Sequence, residues 1–267
     1  MNAIEIKKKL QAGGTVYGTM LTVSRSPRWA NIFAQTGLDY IIIDTEHTPR
    51  SRSEIADLLA AFENTDMAPI VRIPIPSSHY VTMALDAGAQ GILAPYCETV
   101  DEVKETIGAA KWRPLKGKLV KEIVEQNNYP SNASKRYLEQ RSEKTICIIG
   151  IESVPAIENL DDILQLDGID AIFVGPNDLS ISLGIPNEYE NPIYEEALRK
   201  IIAICEKHNT PVMIHHQNVE LSKRWLLEGA KFVLHSTDAR SIHNAIQDDF
   251  SKIREHSQSK IESDEVI

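Results

Sequence analysis

Short apolar runs recur along the whole chain, separated by segments in which apolar residues have helical spacing. The runs are rich in isoleucine and valine and do not alternate polar with apolar residues, which is typical of strands covered on both faces. There are eight of them: VYGTML (16–21), YIIID (40–44), PIVRIP (69–74), GILAPY (91–96), TICIIGIE (145–152), AIFVG (171–175), PVMIH (211–215) and KFVLH (231–235).

A helical segment follows each run, for example SEIADLLAAFENT after the second and YEEALRKIIAICEKH after the sixth. Eight strand–helix units in a chain of 267 residues are typical of a (β/α)8 TIM barrel. A doubly wound sheet is the alternative, but VYGTMLTVSRSP lacks the glycine-rich phosphate turn of that fold. The sequence therefore predicts an α/β fold, a single-domain TIM barrel over residues 1–255, and a polar C-terminal tail over 256–267.

Residues 112–144 interrupt this rhythm with a long excursion after strand four, and they are basic in an acidic chain. Segments of this length in a compact domain are usually functional or flexible. A lid, an arm that reaches a neighbouring subunit and a solvated flap are the three alternatives.

The composition excludes several classes of partner. The formal net charge is −10 and no long basic stripe is present, so we expect no nucleic acid and no anionic membrane as partner. No apolar run approaches the roughly 20 residues that span a bilayer. The N-terminal residues lack the apolar region of a signal peptide, and the three cysteines do not form a disulfide pattern. We therefore expect a cytoplasmic protein.

Polar side chains gather at the ends of the predicted strands, where a TIM barrel has its active site. They are Asp44, Glu46 and His47 after strand two, Arg72 in strand three, Glu152 after strand five, Asp178 after strand six, His215 and His216 at the end of strand seven, and His235 at the end of strand eight.

Glu152 and Asp178 follow neighbouring strands, so their carboxylates are expected to lie close together. Two carboxylates in a partly dry site repel each other unless a cation lies between them. Mg²⁺ and Mn²⁺ accept one or two carboxylates and complete their shell with water and substrate oxygens. The alternative is that each carboxylate caps the helix that follows it.

Arg72 and His47 are the next candidates. A guanidinium on an apolar strand must find an anion, which is either a substrate oxygen or an acid of the barrel. Histidine titrates near neutral pH, so His47 is a candidate general base, oriented by Asp44, Glu46 or Asp86. A structural histidine is the alternative.

The segments IIIDTEHTPRS, PIVRIP, LDAGAQGILAP, IGIESVPAIENLDDIL and GIDAIFVGPNDLSISLGIP occur in this order. Together they resemble the HpcH/HpaI family of class II 2-keto acid aldolases, from about Tyr17 to Ala245. The resemblance implies a TIM barrel that assembles as a homo-oligomer, a trimer or hexamer with exchanged C-terminal helices. It also implies reversible cleavage of a 2-keto-3-deoxy (4-hydroxy-2-oxo) acid to pyruvate and an aldehyde through a metal-bound enolate, with Mg²⁺, Mn²⁺ or Co²⁺ as cofactor.

The resemblance implies roles for the residues that match the family's motifs. Glu152 and Asp178 match the metal ligands. Arg72 matches the arginine that holds the keto oxygen, and the backbone around Gly175 and Asn177 matches the turn that receives the pyruvate carboxylate.

The proton chemistry is implied in the same way. His47 matches the general base, which acts through water, and Asp86 matches its carboxylate partner. Asp44 belongs to the same motif as His47 and is expected to orient the site.

The sequence departs from the family's pattern around these residues. Gly150 stands where a glutamine is frequent, Met20 where several members have an aromatic residue, and PLKGKLVKEIV replaces an arginine–glycine loop. His215, His216 and His235 stand where small or apolar residues are usual, and they either contact substrate or pack. A carboxylic-acid synthase or lyase that uses an acyl-CoA is therefore an alternative function, with Lys116, Lys118 and Lys121 as candidate contacts for the CoA phosphate. A barrel without catalytic activity is a third.

Overall fold

Eight parallel strands close into a barrel in chain order, which confirms the predicted TIM barrel. This computed structural model describes residues 1–264, and the side chains of residues 1–255. The strands are β1 (Val16–Leu21), β2 (Tyr40–Asp44), β3 (Ala68–Arg72), β4 (Gly91–Ala94), β5 (Ile146–Gly150), β6 (Ala171–Val174), β7 (Val212–His216) and β8 (Phe232–Thr237). The helices are α1 (Ala3–Gln11), α2 (Trp29–Ala34), α3 (Arg52–Phe62), α4 (Ser78–Asp86), α5 (Val100–Lys111), α6 (Lys118–Gln126), α7 (Asn132–Ser142), α8 (Val154–Glu158), α9 (Leu160–Ile163), α10 (Pro176–Ser182), α11 (Pro192–Lys207), α12 (Val219–Leu227) and α13 (Asp238–Asp264).

Alternate residues of each strand point into the barrel, and the others pack against the helices. The interior contains large side chains such as Met20, Tyr40, Phe173 and Phe232. The ring of Tyr40 packs edge-on against Phe232 at 4.7 Å between centroids, and its hydroxyl donates to the carbonyl oxygen of Val233 at 2.6 Å. Because this packing fills the lower part of the barrel, open space remains only near the strand ends.

Helix α1 was not predicted from the sequence. It begins with a capping box in which Asn2 accepts from the backbone N–H of Glu5 and Glu5 accepts from that of Asn2. Its buried residues Ala3, Ile6 and Leu10 join the interior core at the amino-terminal end of the barrel. The signal in the sequence was the Asn-x-x-Glu spacing, which is typical of a helix start.

The excursion over residues 112–144 contains α6 and α7, and both pack against α5. Val120 of α6 lies against Gly108, where an added β-carbon would come within 2.5 Å of its Cγ1 atom. No described residue of the excursion lines the pocket at the carboxyl ends of the strands. The excursion therefore adds a layer outside α5 and does not cover the mouth of the barrel, while the intersubunit arm stays a prediction.

Helix α13 runs past the predicted domain boundary at residue 255. The side chains of 256–267 and the backbone of 265–267 lie outside the described residues, so the polar tail stays a prediction. Among the helices that the structure describes, none is both long and apolar enough to cross a membrane.

Candidate active site

The strand register brings Asp44 and Arg72 together at the mouth of the barrel. They are Cα partners in the pairing of β2 with β3, and both continue the set of inward-facing positions that begins with Tyr40 and Ala68. Arg72 Nε donates to Asp44 Oδ1 at 2.7 Å, and Arg72 Nη1 lies 3.0 Å from Glu46 Oε2. The predicted anion partner of Arg72 is therefore a pair of acids from the end of β2.

Two acids hold the Arg72 guanidinium in place without using all of its donors. Arg72 Nη2 donates to no residue that the structure describes. Arg72 lines the pocket at the carboxyl ends of the strands, the mouth pocket. Burial opposes the ionisation of Asp44, but the hydrogen bond and charge of Arg72 outweigh it and lower the pKa of that carboxyl. Asp44 also accepts from the hydroxyl of Thr48 at 2.9 Å. The site thus contains a fixed positive charge whose Nη2 amino group is available to a ligand.

Glu152 and Asp178 lie on the other side of the mouth pocket. The side chain of Glu152 is only 2% exposed, and burial together with the negative charges of Glu46 and Asp178 raises its pKa to about 8. Burial raises the pKa of Glu46 too, and its buried Oε2 atom receives no well-aligned hydrogen bond. The three carboxyl groups therefore form an acidic cluster, in which Glu152 is buried and Glu46 and Asp178 are half-buried, and Arg72 neutralises it only in part.

The backbone at Tyr96 and Gly175 holds the Glu152 carboxylate in position. Its Oε2 atom accepts from the backbone N–H of Tyr96 at 3.2 Å, and Tyr96 adopts the left-handed conformation with φ of 49°. A β-carbon on Gly175 would lie 2.5 Å from Glu152 Oε1, so only glycine leaves room there. At Gly150, a β-carbon would lie 3.0 Å from the backbone of residues 94–96, so a larger residue there would need this backbone to shift.

The carboxylates fit the predicted divalent metal ion. Burial and mutual repulsion make the ionised cluster unfavourable without a cation, and hard oxygen donors suit Mg²⁺, Mn²⁺ or Co²⁺. Glu152 does not cap α8, because Ser153 accepts from the N–H of Ala156 there. No group of three or more His, Cys, Asp or Glu residues in the described part of the chain forms a ready metal site. An ion here would therefore take at most two carboxylates, with water and substrate oxygens as further ligands.

The structure places His47 at the mouth but does not bring Asp86 to it. The ring of His47 is 64% exposed, and its Nε2 atom lies 3.6 Å from Glu46 Oε2. Asp86 lies at the end of α4, where its exposed carboxylate accepts from Arg113 at 3.1 Å. The predicted pairing of Asp86 with His47 is thus absent within the described chain, because helix α4 ends at the opposite side of the barrel from the strand ends.

Gly175 and Asn177 lie at the start of α10, directly after β6, and their binding of a substrate carboxylate stays a prediction. Gly175 is the N-cap residue, Pro176 begins the helix and Asp178 lies in its first turn. The first N–H groups of a helix have no partner within the helix, and they favour anions. The backbone N–H groups of Asn177 and Asp178 are therefore available to a substrate carboxylate.

The three additional histidines differ in position. His215 and His216 line the mouth pocket, whereas His235 packs outside the barrel with its Nδ1 atom 2.9 Å from the hydroxyl oxygen of Ser222. Burial lowers the pKa of His215 to about 4, assisted by the positive charge of Arg72. Burial also lowers the pKa of His216 to about 4. Both imidazoles are therefore neutral at pH 7.

Two structural residues of the mouth were missed in the sequence. Arg50 donates to the carbonyl oxygens of Asp44, Ser24 and Leu21, which ties the ends of β1 and β2 together. Asp238 is 1% exposed and accepts from the backbone N–H groups of residues 22, 23 and 24. The available signal was their position after strands, where a charged residue can support the loops as well as take part in catalysis.

Similarity to known proteins agrees with this geometry. Residues 19–245 match the HpcH/HpaI aldolase/citrate lyase family. The chain is 29% identical over 245 residues to a hydroxypyruvate/pyruvate aldolase of Roseobacter denitrificans, covering 89% of this chain and 92% of that protein. It is 30% identical over 241 residues to a 2-keto-3-deoxy-L-rhamnonate aldolase of Salmonella gallinarum, covering 89% of this chain and 90% of that protein.

A solved structure is similar over nearly the whole chain. The crystal structure of the citrate synthase SbnG superimposes with a TM-score of 0.81 at 25% identity, covering 95% of this chain and 98% of that one. The matched sequence range, residues 19–245, includes the carboxyl end of every strand. The chain therefore belongs to the HpcH/HpaI aldolase/citrate lyase family and is a carbon–carbon lyase.

Proposed function

We propose that this chain is a divalent-metal-dependent aldolase that reversibly cleaves a 2-keto-3-deoxy (4-hydroxy-2-oxo) acid into pyruvate and an aldehyde. The observation that carries the proposal is the pair of carboxyl groups of Glu152 and Asp178, which line one pocket together with Arg72. The two aldolases that match this chain over most of its length support it.

Glu152 and Asp178 would hold the ion, which is Mg²⁺, Mn²⁺ or Co²⁺. When bound, such an ion acts as a Lewis acid that polarises the keto group of the substrate. The N–H groups at the start of α10 bind the substrate carboxylate, and this fixes the direction in which the keto acid enters the pocket.

Arg72 supplies positive charge at the keto oxygen. Asp44 and Glu46 fix its guanidinium, so that Nη2 can donate to the oxygen on which negative charge develops as the bond breaks. A charge that is already oriented needs no reorganisation during the reaction, which is why such donors lower the barrier strongly.

His47 moves the proton. Its exposed ring can take the proton of the C4 hydroxyl through a water molecule, and Glu46 is the carboxylate beside it. The C3–C4 bond then breaks, its electron pair enters the C2–C3 unit as the pyruvate enolate, and the C4 oxygen becomes the aldehyde. Protonation of C3 completes pyruvate.

The direct test is pyruvate release from a 2-keto-3-deoxy acid, followed with lactate dehydrogenase and NADH. We expect EDTA to abolish it, a divalent ion to restore it, and borohydride with pyruvate to leave the enzyme active. Inactivation by borohydride in the presence of pyruvate would overturn the proposal, because only a lysine Schiff base is trapped in that way.

A carboxylic-acid synthase that uses an acyl-CoA is the second candidate, and the similarity to a citrate synthase favours it. Lys116 and Lys121, the candidate contacts for the CoA phosphate, line a groove outside α4, α5 and α6 and not the mouth pocket. Release of free thiol from acetyl-CoA with oxaloacetate would support this candidate over the aldolase.

We also propose a cytoplasmic homo-oligomer, a trimer or hexamer. The exposed apolar residues Ile242, Ile246 and Phe250 recur at helical spacing along α13, which supports association of this helix with other chains. Light scattering on the purified protein measures the assembly, and a monomeric mass at micromolar concentration would contradict it.

A further inference from the structure

The mouth pocket has a second side that the cleavage chemistry does not use. The pocket has a volume of about 690 Å³, and beyond the acidic cluster it is lined by the ends of β7 and β8 and by the loop after α10. His215 lies on β7, four strands away from Arg72 in a ring of eight, and so faces it across the barrel. A keto acid held at Arg72 and Glu152 would extend its remaining carbons toward this side.

The hydrogen bonding of His215 determines which of its ring nitrogens can accept a hydrogen bond from a ligand. Its Nε2 atom lies 3.4 Å from the carbonyl oxygen of Ser236, and a carbonyl can only accept, so Nε2 carries the proton. Nδ1 is then an acceptor, and it bonds to no residue that the structure describes. Ser236 adopts the left-handed conformation with φ of 59°, next to an irregularity in the pairing of β8 with β1. A strained backbone at this point is typical of a functional position.

This side of the pocket has no cation for a second anionic group. Among the described residues that line the pocket, Arg72 is the sole arginine or lysine, and it lies across the barrel from His215 in ion pairs with Asp44 and Glu46. His215 and His216 are neutral at pH 7. A carboxylate or phosphate there would be desolvated without a partner, which is costly.

The neighbours of His215 are polar but uncharged. Tyr189 lies against the ring of His216 at 6.1 Å between centroids, and its hydroxyl donates to the side-chain oxygen of Asn187 at 2.9 Å. The amide of Gln217 lines the same wall. A purely hydrocarbon substituent would leave His215 Nδ1 without a partner, whereas a hydroxyl can donate to it.

We infer that His215 is the specificity-determining residue for the aldehyde half of the substrate, and that it accepts a hydrogen bond from a hydroxyl on that half. The aldehyde product is accordingly a neutral hydroxyaldehyde, not an aldehyde with a carboxylate or phosphate and not a simple alkanal. This conclusion rests on the proposed aldolase function and adds the class of its second substrate.

The test is run in the direction of synthesis, with pyruvate, Mn²⁺ and matched aldehydes. The purified wild-type protein is compared on 2-hydroxypropanal and propanal, which differ by one hydroxyl, and on 4-oxobutanoate and butanal, which differ by a carboxylate. We expect kcat/KM to be at least about 10-fold higher for 2-hydroxypropanal than for propanal. We expect 4-oxobutanoate to be poorer than butanal, and the reverse order in either pair overturns the inference.

Substitutions then locate the preference. In His215→Leu the ratio of kcat/KM for 2-hydroxypropanal over propanal should fall about 10-fold, whereas His215→Gln, whose amide oxygen can accept, should keep most of it. His235→Gln is the matched control outside the pocket, and its ratio should equal that of the wild type. A ratio within one protein cancels any general loss of activity. An unchanged ratio in His215→Leu overturns the inference, and if that variant does not fold the wild-type comparison decides.

Exchange of the pyruvate methyl protons with deuterium in D₂O separates the two proposals, because it needs no aldehyde. Wild-type protein that does not exchange these protons in the presence of Mn²⁺ refutes the aldolase function itself. If the wild-type protein exchanges the pyruvate protons but shows no preference for 2-hydroxypropanal over propanal, only the role of His215 is refuted.

Discussion

Glu152→Gln tests the acidic cluster in the absence of metal. The substitution keeps the shape of the side chain and an oxygen that can accept from the N–H of Tyr96, but it removes the charge. In the wild-type protein, burial and the charges of Glu46 and Asp178 raise the pKa of Glu152 from 4.5 to about 8. The variant therefore removes one buried ionisation and little else.

The magnitude follows from the proton linkage of folding. A carboxyl whose pKa is raised in the folded state stabilises the fold below its unfolded pKa, and this stabilisation is lost as pH rises from about 4.5 to about 8. Each pH unit in this range costs about 1.4 kcal/mol of stability, so the range from pH 5.5 to about 8 amounts to about 3 kcal/mol. Between pH 5.5 and pH 8.5, the free energy of unfolding of the metal-free wild-type protein should therefore fall by on the order of 3 kcal/mol relative to that of the variant.

The assay is urea unfolding of both proteins in EDTA at pH 5.5 and pH 8.5, because the comparison cancels every other titrating group. Addition of Mn²⁺ at pH 8.5 should then restore stability to the wild type more than to the variant, since ligand binding to the folded state stabilises it. If the difference in free energy of unfolding between the two proteins is the same at both pH values, Glu152 is already ionised at pH 5.5. Its pKa is then not raised, and the explanation is wrong.

Three further changes test other parts of the site. Arg72→Lys loses the fork that binds both Asp44 and Glu46, so kcat for pyruvate release should fall about 10²- to 10³-fold, and an unchanged kcat would contradict its role. Gly175→Ala places a β-carbon 2.5 Å from Glu152 Oε1, so calorimetry should show that Mn²⁺ binds about 10-fold or more weakly. Equal Mn²⁺ affinity in the variant and the wild type would contradict this expectation. Asp238→Asn removes an acceptor of three backbone N–H groups and should lower the free energy of unfolding by about 1–3 kcal/mol at pH 7. Hydrogen bonds from Ser24 and Thr22 outweigh burial and lower the pKa of Asp238, so this loss should shrink as pH falls below about 4, and a loss that is equal at pH 3 and pH 7 would refute the explanation.

The strands were predictable because a barrel strand is apolar on both faces and stands out against the helices. The predicted runs 16–21 and 40–44 coincide with β1 and β2, while the run 211–215 is displaced by one residue from β7. Such runs contain no internal alternation, so their ends are marked only by the turns that follow. Helix α1 was missed because nothing in so short a segment shows that its apolar face closes the barrel.

The site was predictable in part. Arg72 stood out as a charge in an apolar strand, and the positions of Glu152 and Asp178 after neighbouring strands indicated that the two carboxylates would meet. Asp86 illustrates the limit, because the sequence does not reveal that α4 carries its carboxylate to Arg113. The histidines show the same limit. Neighbouring residues of one strand face opposite sides, and only the strand register places His215 toward the barrel interior and His235 toward the helices.

By itself the sequence determined the number and order of the strands and the polar character of their carboxyl ends, because these depend on local patterns of apolar residues. Only the tertiary structure decided which charges meet. Folding buries Glu152 and brings the charge of Glu46, more than 100 residues away, close to it, and both effects raise the pKa of a carboxyl that looks ordinary in the sequence. The register of β2 on β3 decides that Asp44 and Glu46 hold Arg72, and the bond from His215 to Ser236 decides which ring nitrogen of His215 remains an acceptor. Electrostatic and hydrogen-bond energies depend on distances between atoms, and those distances exist only once the chain is folded.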